Sequence, residues 1–301
     1  MSLIFSHHKN TVMKKILITG CSSGFGYDSS KYLAKKGHHV YATMRNIAGK
    51  NTKPASELKE FAKANNLKID VFEMDVTSDE SVNAAVSQIP EVDVLINNAG
   101  LGYGGALEAF TSEQVMDQLD LNIVGTMRTA KAVLPGMRAK KSGLIIQVSS
   151  TAGRAAFPGF SVYHASKWGL EGMSEALRYE LAPLGIDVVI VEPGPFDTNF
   201  FGNIVNAGDE KVAAAYQHVG EFFDGFGKTV QGLFADENAP TDSMVIVKIF
   251  EDLINKPAGS RPLRTIGGLD FGFQAFNDVT DPIRKAGLEG MGISDWDGPK
   301  G

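Results

Sequence analysis

The sequence lacks several features that would place it in other protein classes. It has one cysteine, Cys21, so no disulfide can form within the chain, which favours a reducing, cytoplasmic location. Its longest apolar runs, such as 144–146 and 188–191, are far shorter than the roughly 20 residues that span a bilayer, so we expect no membrane span. Segment 1–13 has no apolar core, and we interpret it as a flexible leader rather than a signal peptide.

Positive charge and metal ligands are also scarce. The 29 Lys and Arg residues are outnumbered by 35 Asp and Glu residues, and the resulting net charge of −6 argues against a nucleic acid as partner. The six histidines and the lone cysteine show no zinc-ligand spacing, so we predict no metal site. With 43% hydrophobic residues, the chain can form a core without disulfides or metals.

Short apolar runs alternate with helical patterns along most of the chain. Strands are predicted at 16–19, 40–43, 69–72, 94–96, 144–149 and 188–191, with a weaker strand near 263–266. Helices are predicted at 27–36, 56–64, 81–89, 112–134, 162–184 and 241–255. Alternation of this kind is typical of an α/β protein with three layers, in which helices cover both faces of a parallel sheet. We predict a single domain over residues 14–301.

The pattern changes after Pro193, where seven phenylalanines fall within 193–234 among many glycines. We predict that the substrate-binding region lies at about 193–240. Large aromatic rings can form a mobile lid over a bulky apolar molecule. The alternatives are that these rings belong to the hydrophobic core or to a contact between subunits.

The first predicted strand ends in a glycine-rich loop that leads into a helix. The loop residues that we expect to contact a cofactor are Gly20, Ser22, Ser23, Gly24, Phe25 and Gly26. The first glycine permits a tight turn, the second lets the backbone approach a phosphate, and the third allows close packing of helix and strand. Amides at the helix start can then bind a pyrophosphate. We therefore predict a dinucleotide site; the alternative is an ordinary glycine-rich turn.

The choice of cofactor depends on the end of the second strand. An acidic residue there would bind the ribose 2′-hydroxyl of NAD, but the segment 41–46 contains no carboxylate. Arg45 stands just beyond the strand, and its guanidinium can bind the 2′-phosphate of NADP with two hydrogen bonds. We predict NADP(H), with NAD(H) as the alternative. Arg45 could instead be an ordinary solvated arginine.

A candidate catalytic group lies in the predicted helix 162–184. Tyr163 and Lys167 are four residues apart, so their side chains share one helix face. Ser150 directly follows a buried strand, at the carboxyl end where open α/β sheets bind ligands. Asn122 lies in the long helix between. The spacing of Tyr163 and Lys167 alone is weak evidence for a catalytic pair. The serine upstream, Ser150, strengthens that evidence.

Together these segments resemble the short-chain dehydrogenase/reductase family. The motifs run in family order across about 14–200: TGxxxGxG at 19–26, Asp75-Val76, NNAG at 97–100, Asn122, Ser150, Tyr163-xxx-Lys167 and Pro193-Gly194. The stretches 19–26 and 40–46 also resemble the hydroxysteroid- and retinol-type branch. The resemblance implies a Rossmann-type doubly wound parallel sheet and a homodimer or homotetramer.

The resemblance implies a role for each candidate catalytic residue. Tyr163 would be the general acid or base, and Ser150 would orient the substrate oxygen. Lys167 would bind the nicotinamide ribose and lower the pKa of Tyr163 from its usual value of about 10. Asn122 would hold a water molecule that links Lys167 to bulk solvent.

The resemblance also implies further cofactor contacts. Adenine would meet Asp75 and Val76, the adenosine ribose would lie against Asn98, Ala99 and Gly100, and the nicotinamide would be held by Pro193, Gly194 and Thr198. Each has a structural alternative: Asp75 could be a turn cap, Asn98 a hydrogen-bonding residue at a strand end, and 193–194 a simple turn.

These observations predict an NADP(H)-dependent oxidoreductase that interconverts a carbonyl and an alcohol on a small molecule. The alternative from another class is a non-catalytic NADP(H)-binding redox sensor, which would not need all four catalytic candidates. An epimerase or dehydratase on the same fold would share the Tyr-xxx-Lys motif. The glycine spacing and the NNAG segment favour the dehydrogenase.

Overall fold

The computed structural model describes residues 12–300, so most of the leader predicted at 1–13 lies outside the described residues. The strands of the main sheet are β1 (Lys15–Ile18), β2 (His39–Met44), β3 (Ile69–Glu73), β4 (Val94–Asn97), β5 (Gly143–Val148), β6 (Ile186–Pro193) and β7 (Arg264–Gly267). All neighbouring strands pair in parallel, in the order β3-β2-β1-β4-β5-β6-β7. The three-layer α/β sheet of Rossmann type predicted from the sequence is confirmed.

The helices cover both faces of this sheet. They are α1 (Gly24–Lys35), α2 (Thr52–Asn65), α3 (Asp79–Ser87), α4 (Ser112–Leu119), α5 (Gly125–Lys140), α6 (Ser161–Leu181), α7 (Glu210–Ala213), α8 (Gln217–Phe234), α9 (Met244–Asn255) and α10 (Phe273–Gly290). A wider π-helical turn at Asp120–Val124 joins α4 to α5.

The strands are apolar throughout because both faces of the sheet are buried. Successive side chains of a strand point to opposite faces. Accordingly Ile16 and Ile18 of β1 pack into one core cluster, whereas Leu17 between them packs into the other. Strand β6 is buried along all 8 of its residues. Continuous apolar runs therefore predict the strands of this protein better than alternation would.

The strand order places the ligand-binding crevice. The chain winds from β1 through β2 to β3 on one side and crosses back to β4 on the other. Ligands of open α/β sheets bind at the carboxyl ends of the strands where the order reverses in this way. The glycine loop follows β1 at that point, and the NNAG segment follows β4.

Several elements were missing from the predictions. A short parallel pair joins Tyr103–Gly104 to Val205–Asn206, and helices α7, α8 and α10 form in the last third of the chain. Helix α8 contains four glycines (residues 220, 225, 227 and 232), and each costs about 1 kcal/mol relative to alanine in a helix. The helix forms despite them because Phe223, Phe226 and Val230 recur on one face and pack inward.

Two further findings concern the described residues, 12–300. None of their helices is both long enough and apolar enough to cross a membrane. No group of three or more His, Cys, Asp or Glu side chains among them is arranged to hold a metal ion.

Candidate active site

The glycine loop closes tightly because its residues carry no side chains at the contact points. Gly20 has φ +73° and Gly24 has φ +55°, which side chains rarely permit. A Cβ atom on Gly20 would lie 2.8 Å from the Ala99 Cα atom. A Cβ atom on Gly26 would lie 2.5 Å from the Gly20 carbonyl oxygen. The loop therefore packs directly on the NNAG segment after β4.

The start of α1 is suited to a phosphate. Within residues 12–300, the backbone amides of Gly24, Phe25 and Gly26 have no hydrogen-bond partner, and Ser23 does not cap the helix with its side chain. The first turn contains no acidic residue. The positive end of the helix dipole is thus uncompensated, and Ser22 beside it is only half-buried. These residues fit the pyrophosphate of a dinucleotide.

The NNAG segment is held by a residue that the sequence analysis did not single out. The Thr19 hydroxyl accepts hydrogen bonds from the amides of Asn98 and Ala99, both at 3.0 Å. The Asn98 side-chain amide donates to the carbonyls of Thr19 and Gly20 at 2.9 and 3.2 Å. The Asn98 side chain therefore acts as a hydrogen-bonding residue at a strand end, which was the structural alternative considered for it. The sequence signal that could have identified Thr19 is its position directly before Gly20.

The predicted adenine contacts lie at the end of β3. Asp75 accepts hydrogen bonds from the amide and the hydroxyl of Thr77 at 3.0 and 2.7 Å, which is the turn cap considered as its alternative. Val76 is buried and packs against Gly125 at the start of α5. Of the two, only Asp75 is half-exposed.

Arg45 is exposed just beyond β2, and its carbonyl accepts a hydrogen bond from the Asn51 side chain at 2.6 Å. A nearby carboxylate was not predicted: Glu73, at the end of β3, accepts from the amides of Asn46 and Ile47, the latter at 2.7 Å. It was missed because it belongs to the neighbouring strand rather than to β2. The 2′-position of a cofactor would therefore meet a cation and an anion in the same neighbourhood.

The structure brings the predicted catalytic residues together. Tyr163 and Lys167 are 8% and 6% exposed, and the Lys167 ammonium lies 5.8 Å from the centre of the Tyr163 ring. It donates to the Val148 carbonyl at 2.9 Å. A Cβ atom on Gly100 would lie 3.3 Å from Asn122 Oδ1 and 3.8 Å from Lys167 Nζ. The residues after β4 thus border the same small space as the catalytic pair.

Asn122 reaches this space from the π-helical turn at Asp120–Val124. Its side-chain amide donates to the Leu101 carbonyl at 3.1 Å and to the Ser166 hydroxyl at 2.9 Å, and its oxygen accepts from the Leu101 amide at 3.2 Å. Single π-helical turns within α-helices frequently mark functional sites. The sequence pattern showed one continuous helix at 112–134, so this turn could not be predicted.

The pKa values of the pair differ from expectation. Burial raises the pKa of Tyr163 to about 12, and the Ser150 hydroxyl opposes this shift. Burial lowers the pKa of Lys167 to about 8, against the influence of Glu171 one turn further along α6. Desolvation of the phenol dominates the Tyr163 pKa in this geometry, where the Lys167 ammonium donates to the Val148 carbonyl. The lowering of the Tyr163 pKa by Lys167 stays a prediction.

The end of β6 faces the glycine loop. Gly194 donates to the Gly267 carbonyl at 3.0 Å, and a Cβ atom there would clash with the Leu269 carbonyl. Thr198 lies across the cleft, because a Cβ atom on Gly24 would be 3.5 Å from the Thr198 side chain. The predicted residues 193, 194 and 198 therefore lie along the same crevice as the loop.

The phenylalanines after Pro193 divide into two groups. Phe196 is 3% exposed and packs edge-on against Phe25, so it belongs to the core. Phe200 lies 5.4 Å from Tyr163, and Phe223 of α8 stacks on Phe160 at 4.8 Å, ring centre to ring centre. This second group covers the side of Tyr163.

Cavities also lie outside the crevice. One of about 320 Å³ lies between the short strand pair and α8 and is lined in part by Phe223 and Tyr216. Another of about 630 Å³ is lined by none of the site residues; it lies beside Arg178, Arg261 and Arg284, whose charges are compensated by Asp187 and Asp297. We assign no role in the reaction to the second cavity.

Comparison with known proteins agrees with this geometry. A family model described as short chain dehydrogenase matches residues 14–208. The 3-ketodihydrosphingosine reductase of Bacteroides thetaiotaomicron is 44% identical over 192 residues, which cover 62% of this chain and 66% of that protein. Human retinol dehydrogenase 8 is 41% identical over 196 residues, covering 64% of this chain and 62% of that protein. Human 17-beta-hydroxysteroid dehydrogenase type 1 is 38% identical over 203 residues, covering 65% and 60%.

The matched region thus spans less than two thirds of the length of these curated relatives. Among solved structures, a short-chain dehydrogenase from Streptomyces avermitilis aligns over 93% of this chain and 98% of its own, with a TM-score of 0.73 and 31% identity. An actinorhodin polyketide ketoreductase with NADPH aligns over 84% and 95%, with a TM-score of 0.68 and 26% identity. The expected similarity to the hydroxysteroid- and retinol-type branch is confirmed, and the chain belongs to the short-chain dehydrogenase family of oxidoreductases.

Proposed function

We propose that the chain interconverts a carbonyl and an alcohol with NADP(H). The observation that carries this proposal is the convergence of Tyr163, Lys167 and Asn122 on the residues after β4, beside a glycine loop with free helix-start amides. A protein that only sensed the cofactor would need the loop but not the buried phenol and ammonium.

The proton chemistry is assigned to Tyr163. A bound NADPH would supply the hydride that the carbonyl carbon receives. Tyr163 donates its proton to the carbonyl oxygen, which becomes the hydroxyl, and is left as a phenolate that is reprotonated from solvent. Because burial raises the Tyr163 pKa to about 12, the phenol holds its proton at neutral pH. A developing alkoxide is a much stronger base than a phenolate, so transfer of the proton from Tyr163 to the reduced oxygen remains favourable.

Ser150 and Lys167 assist Tyr163 in different ways. The Ser150 hydroxyl donates a hydrogen bond to the developing negative charge on the substrate oxygen. Lys167 uses one of its three N–H donors on Val148, which leaves two for cofactor hydroxyls. Asn122 fixes the backbone at Leu101, and its predicted water-holding role stays a prediction.

The remaining cofactor contacts are proposed as predicted from the motifs. The amides and hydroxyls of loop 20–26 bind the pyrophosphate, and Thr198 faces them across the cleft. Arg45 binds the 2′-phosphate, and its charge must outweigh that of Glu73 nearby. Residues 75–76 and 98–100 border the adenosine, and 193–194 border the nicotinamide.

We propose an apolar substrate bound in the region 193–240. Phe200 and the Phe160–Phe223 stack present hydrocarbon surface beside the reacting phenol. The relatives named for retinol, a 17-beta-hydroxysteroid and 3-ketodihydrosphingosine support a bulky apolar molecule. A cytoplasmic location, a homodimer or homotetramer, and one domain that extends over 14–301 stay predictions.

The test is a screen of NADPH oxidation over steroids, retinoids, long-chain ketones, quinones and small aldehydes, repeated with NADH. For any accepted substrate, we expect Tyr163→Phe to lower kcat by about 10²–10⁴-fold, the usual contribution of a general acid. NADPH affinity, measured by fluorescence titration, should stay within about twofold, because the phenol does not hold the phosphates. Tight NADPH binding without turnover of any carbonyl would favour the redox sensor, and near-wild-type rates in the variant would contradict the role of Tyr163.

A further inference from the structure

The histidine next to the proposed acid contacts segment 152–157 with both of its ring nitrogens. His164 is 4% exposed on α6, beside Tyr163. Its Nε2 atom accepts a hydrogen bond from the Phe157 amide at 2.8 Å, and its Nδ1 atom donates to the Ala152 carbonyl at 2.8 Å. One side chain therefore ties together both ends of segment 152–157, which follows Ser150.

These two partners fix the state of the imidazole. A backbone amide can only donate and a carbonyl can only accept, so the ring carries its proton on Nδ1 and is neutral. A protonated ring would point an Nε2–H group at the Phe157 N–H group. The contact to Phe157 would then be lost, because two donors would face each other.

The connection reaches Ser150 through Ala152. The Ala152 amide donates to the Ser150 hydroxyl oxygen at 3.1 Å, while the carbonyl of the same residue accepts from His164. With that lone pair occupied, the Ser150 hydroxyl hydrogen is left to donate; in the substrate-free structure it lies within reach of the Pro193 carbonyl at 3.4 Å and of the Tyr163 phenol. The orientation of the serine hydroxyl thus depends on the position that His164 gives to residue 152.

We propose that neutral His164 is a positioning residue that holds segment 152–157 closed and thereby aims the Ser150 hydroxyl at the substrate oxygen. The proposal rests on the carbonyl chemistry proposed above. It adds a condition to that chemistry, namely that protonation of His164 opens the segment. No catalytic contact is assigned to the imidazole itself.

The surroundings of His164 are mainly aromatic, so its protonation is not coupled to that of a charged neighbour. Aromatic rings of Phe157, Phe160 and Tyr163 surround it at 5.7 to 6.4 Å between ring centres. Arg154, the charged residue of the segment, turns away to Glu192 and to the Thr280 hydroxyl. Among the described residues, no charged side chain shifts the titration of His164: burial lowers its pKa, and only the Ala152 carbonyl opposes this.

The sign of the pH effect follows from this. The unfolded chain takes up a proton at a pKa of about 6.5, whereas the folded chain resists protonation of His164 to a lower pH. The closed segment is therefore fully present above about pH 6.5 and is lost as the pH falls through the lowered pKa of the folded protein. Tyr163, Ser150 and Lys167 do not titrate in this acid range, since the pKa of Tyr163 is about 12 and that of Lys167 about 8.

The test compares the wild type with His164→Gln and His164→Leu. The Gln amide oxygen can accept from Phe157 and does not titrate, whereas Leu removes both hydrogen bonds. At pH 7.5 we expect His164→Leu to lower kcat by about 10- to 100-fold, less than the loss of a direct oxyanion donor, and to leave NADPH affinity within about twofold. His164→Gln should keep kcat within a few-fold. It should also lack the fall in kcat/KM that we expect of the wild type in the acid range below the usual imidazole pKa of about 6.5.

Hydrogen exchange of the substrate-free protein gives a readout that does not need activity. Peptides covering 151–160 should exchange faster in His164→Leu than in the wild type, and the wild type should approach the variant as the pH falls. Equal kcat in the wild type and His164→Leu, unchanged exchange, or the same acid limb in His164→Gln would each overturn the proposal. A wild type that reduces no carbonyl would refute the proposed function instead, and the exchange comparison would still decide whether the segment is held by His164.

Discussion

The two ends of the crevice are built in different ways. At the cofactor end, backbone meets backbone: Gly20 contacts Ala99, and Gly26 contacts the carbonyl of Gly20. At the substrate end, rings from distant parts of the chain meet, as where Phe160 of the segment before α6 stacks on Phe223 of α8. The first arrangement requires particular residues at particular spacings, whereas the second requires only apolar bulk of suitable shape.

This difference decides how each end responds to substitution. A contact between backbone atoms cannot rotate away, so an added methyl group must displace the loop. A contact between rings can be remade by a neighbouring side chain, so its loss costs less. The cofactor end should therefore be intolerant of substitution and the substrate end adaptable.

The largest effect is expected at Gly26. Gly26→Ala would place a methyl group 2.5 Å from the Gly20 carbonyl oxygen and 2.7 Å from the Asn98 side-chain nitrogen. Such overpacking costs about 1–3 kcal/mol, and we expect NADPH affinity to fall by about 10- to 100-fold together with a lower Tm.

The matched control is Gly136→Ala in α5, where nothing lies within 4 Å of the added atom. It should leave NADPH affinity unchanged and stabilise the fold by up to about 1 kcal/mol, because alanine favours the helix. Fluorescence titration and thermal unfolding measure both variants. Wild-type NADPH affinity in Gly26→Ala would contradict the tight packing of the loop.

The next effect is expected at Arg45, which is at the cofactor end but acts through a side chain. Hydrogen bonds to a charged group contribute about 1.5–3 kcal/mol, so Arg45→Ala should weaken NADPH binding by about 10- to 100-fold and leave NADH binding nearly unchanged. Arg45→Lys keeps the charge without the paired N–H groups and should lie between the two. Titration of each variant with NADH and with NADPH measures both affinities. Equal weakening of NADH binding and NADPH binding would show that Arg45 does not recognise the 2′-phosphate.

The same difference explains how much the sequence could predict. The sheet follows from apolar runs at regular intervals, and the loop, Ser150, Tyr163 and Lys167 follow from motifs at fixed spacing. The π-helical turn at Asn122 could not be predicted, because one extra residue in a single turn does not visibly change the pattern of apolar residues. Glu73 and Thr19 act on partners that are distant in sequence, and α8 is obscured by its glycines.

The smallest effect is expected at Phe223, in the substrate end. Phe223→Leu removes the ring that stacks on Phe160, an interaction of about 0.5–1.5 kcal/mol, so KM for a bulky apolar carbonyl should rise about 2- to 10-fold while kcat and NADPH affinity stay near wild type. Phe222→Leu is the matched control, since Phe222 is 37% exposed and stacks on Phe226 rather than on Phe160. A lower Tm with an unchanged KM would show that Phe223 belongs to the core, and an altered association state would show that it belongs to a subunit contact. A rise in KM confined to the bulky substrate is the result that makes the ring part of the substrate site.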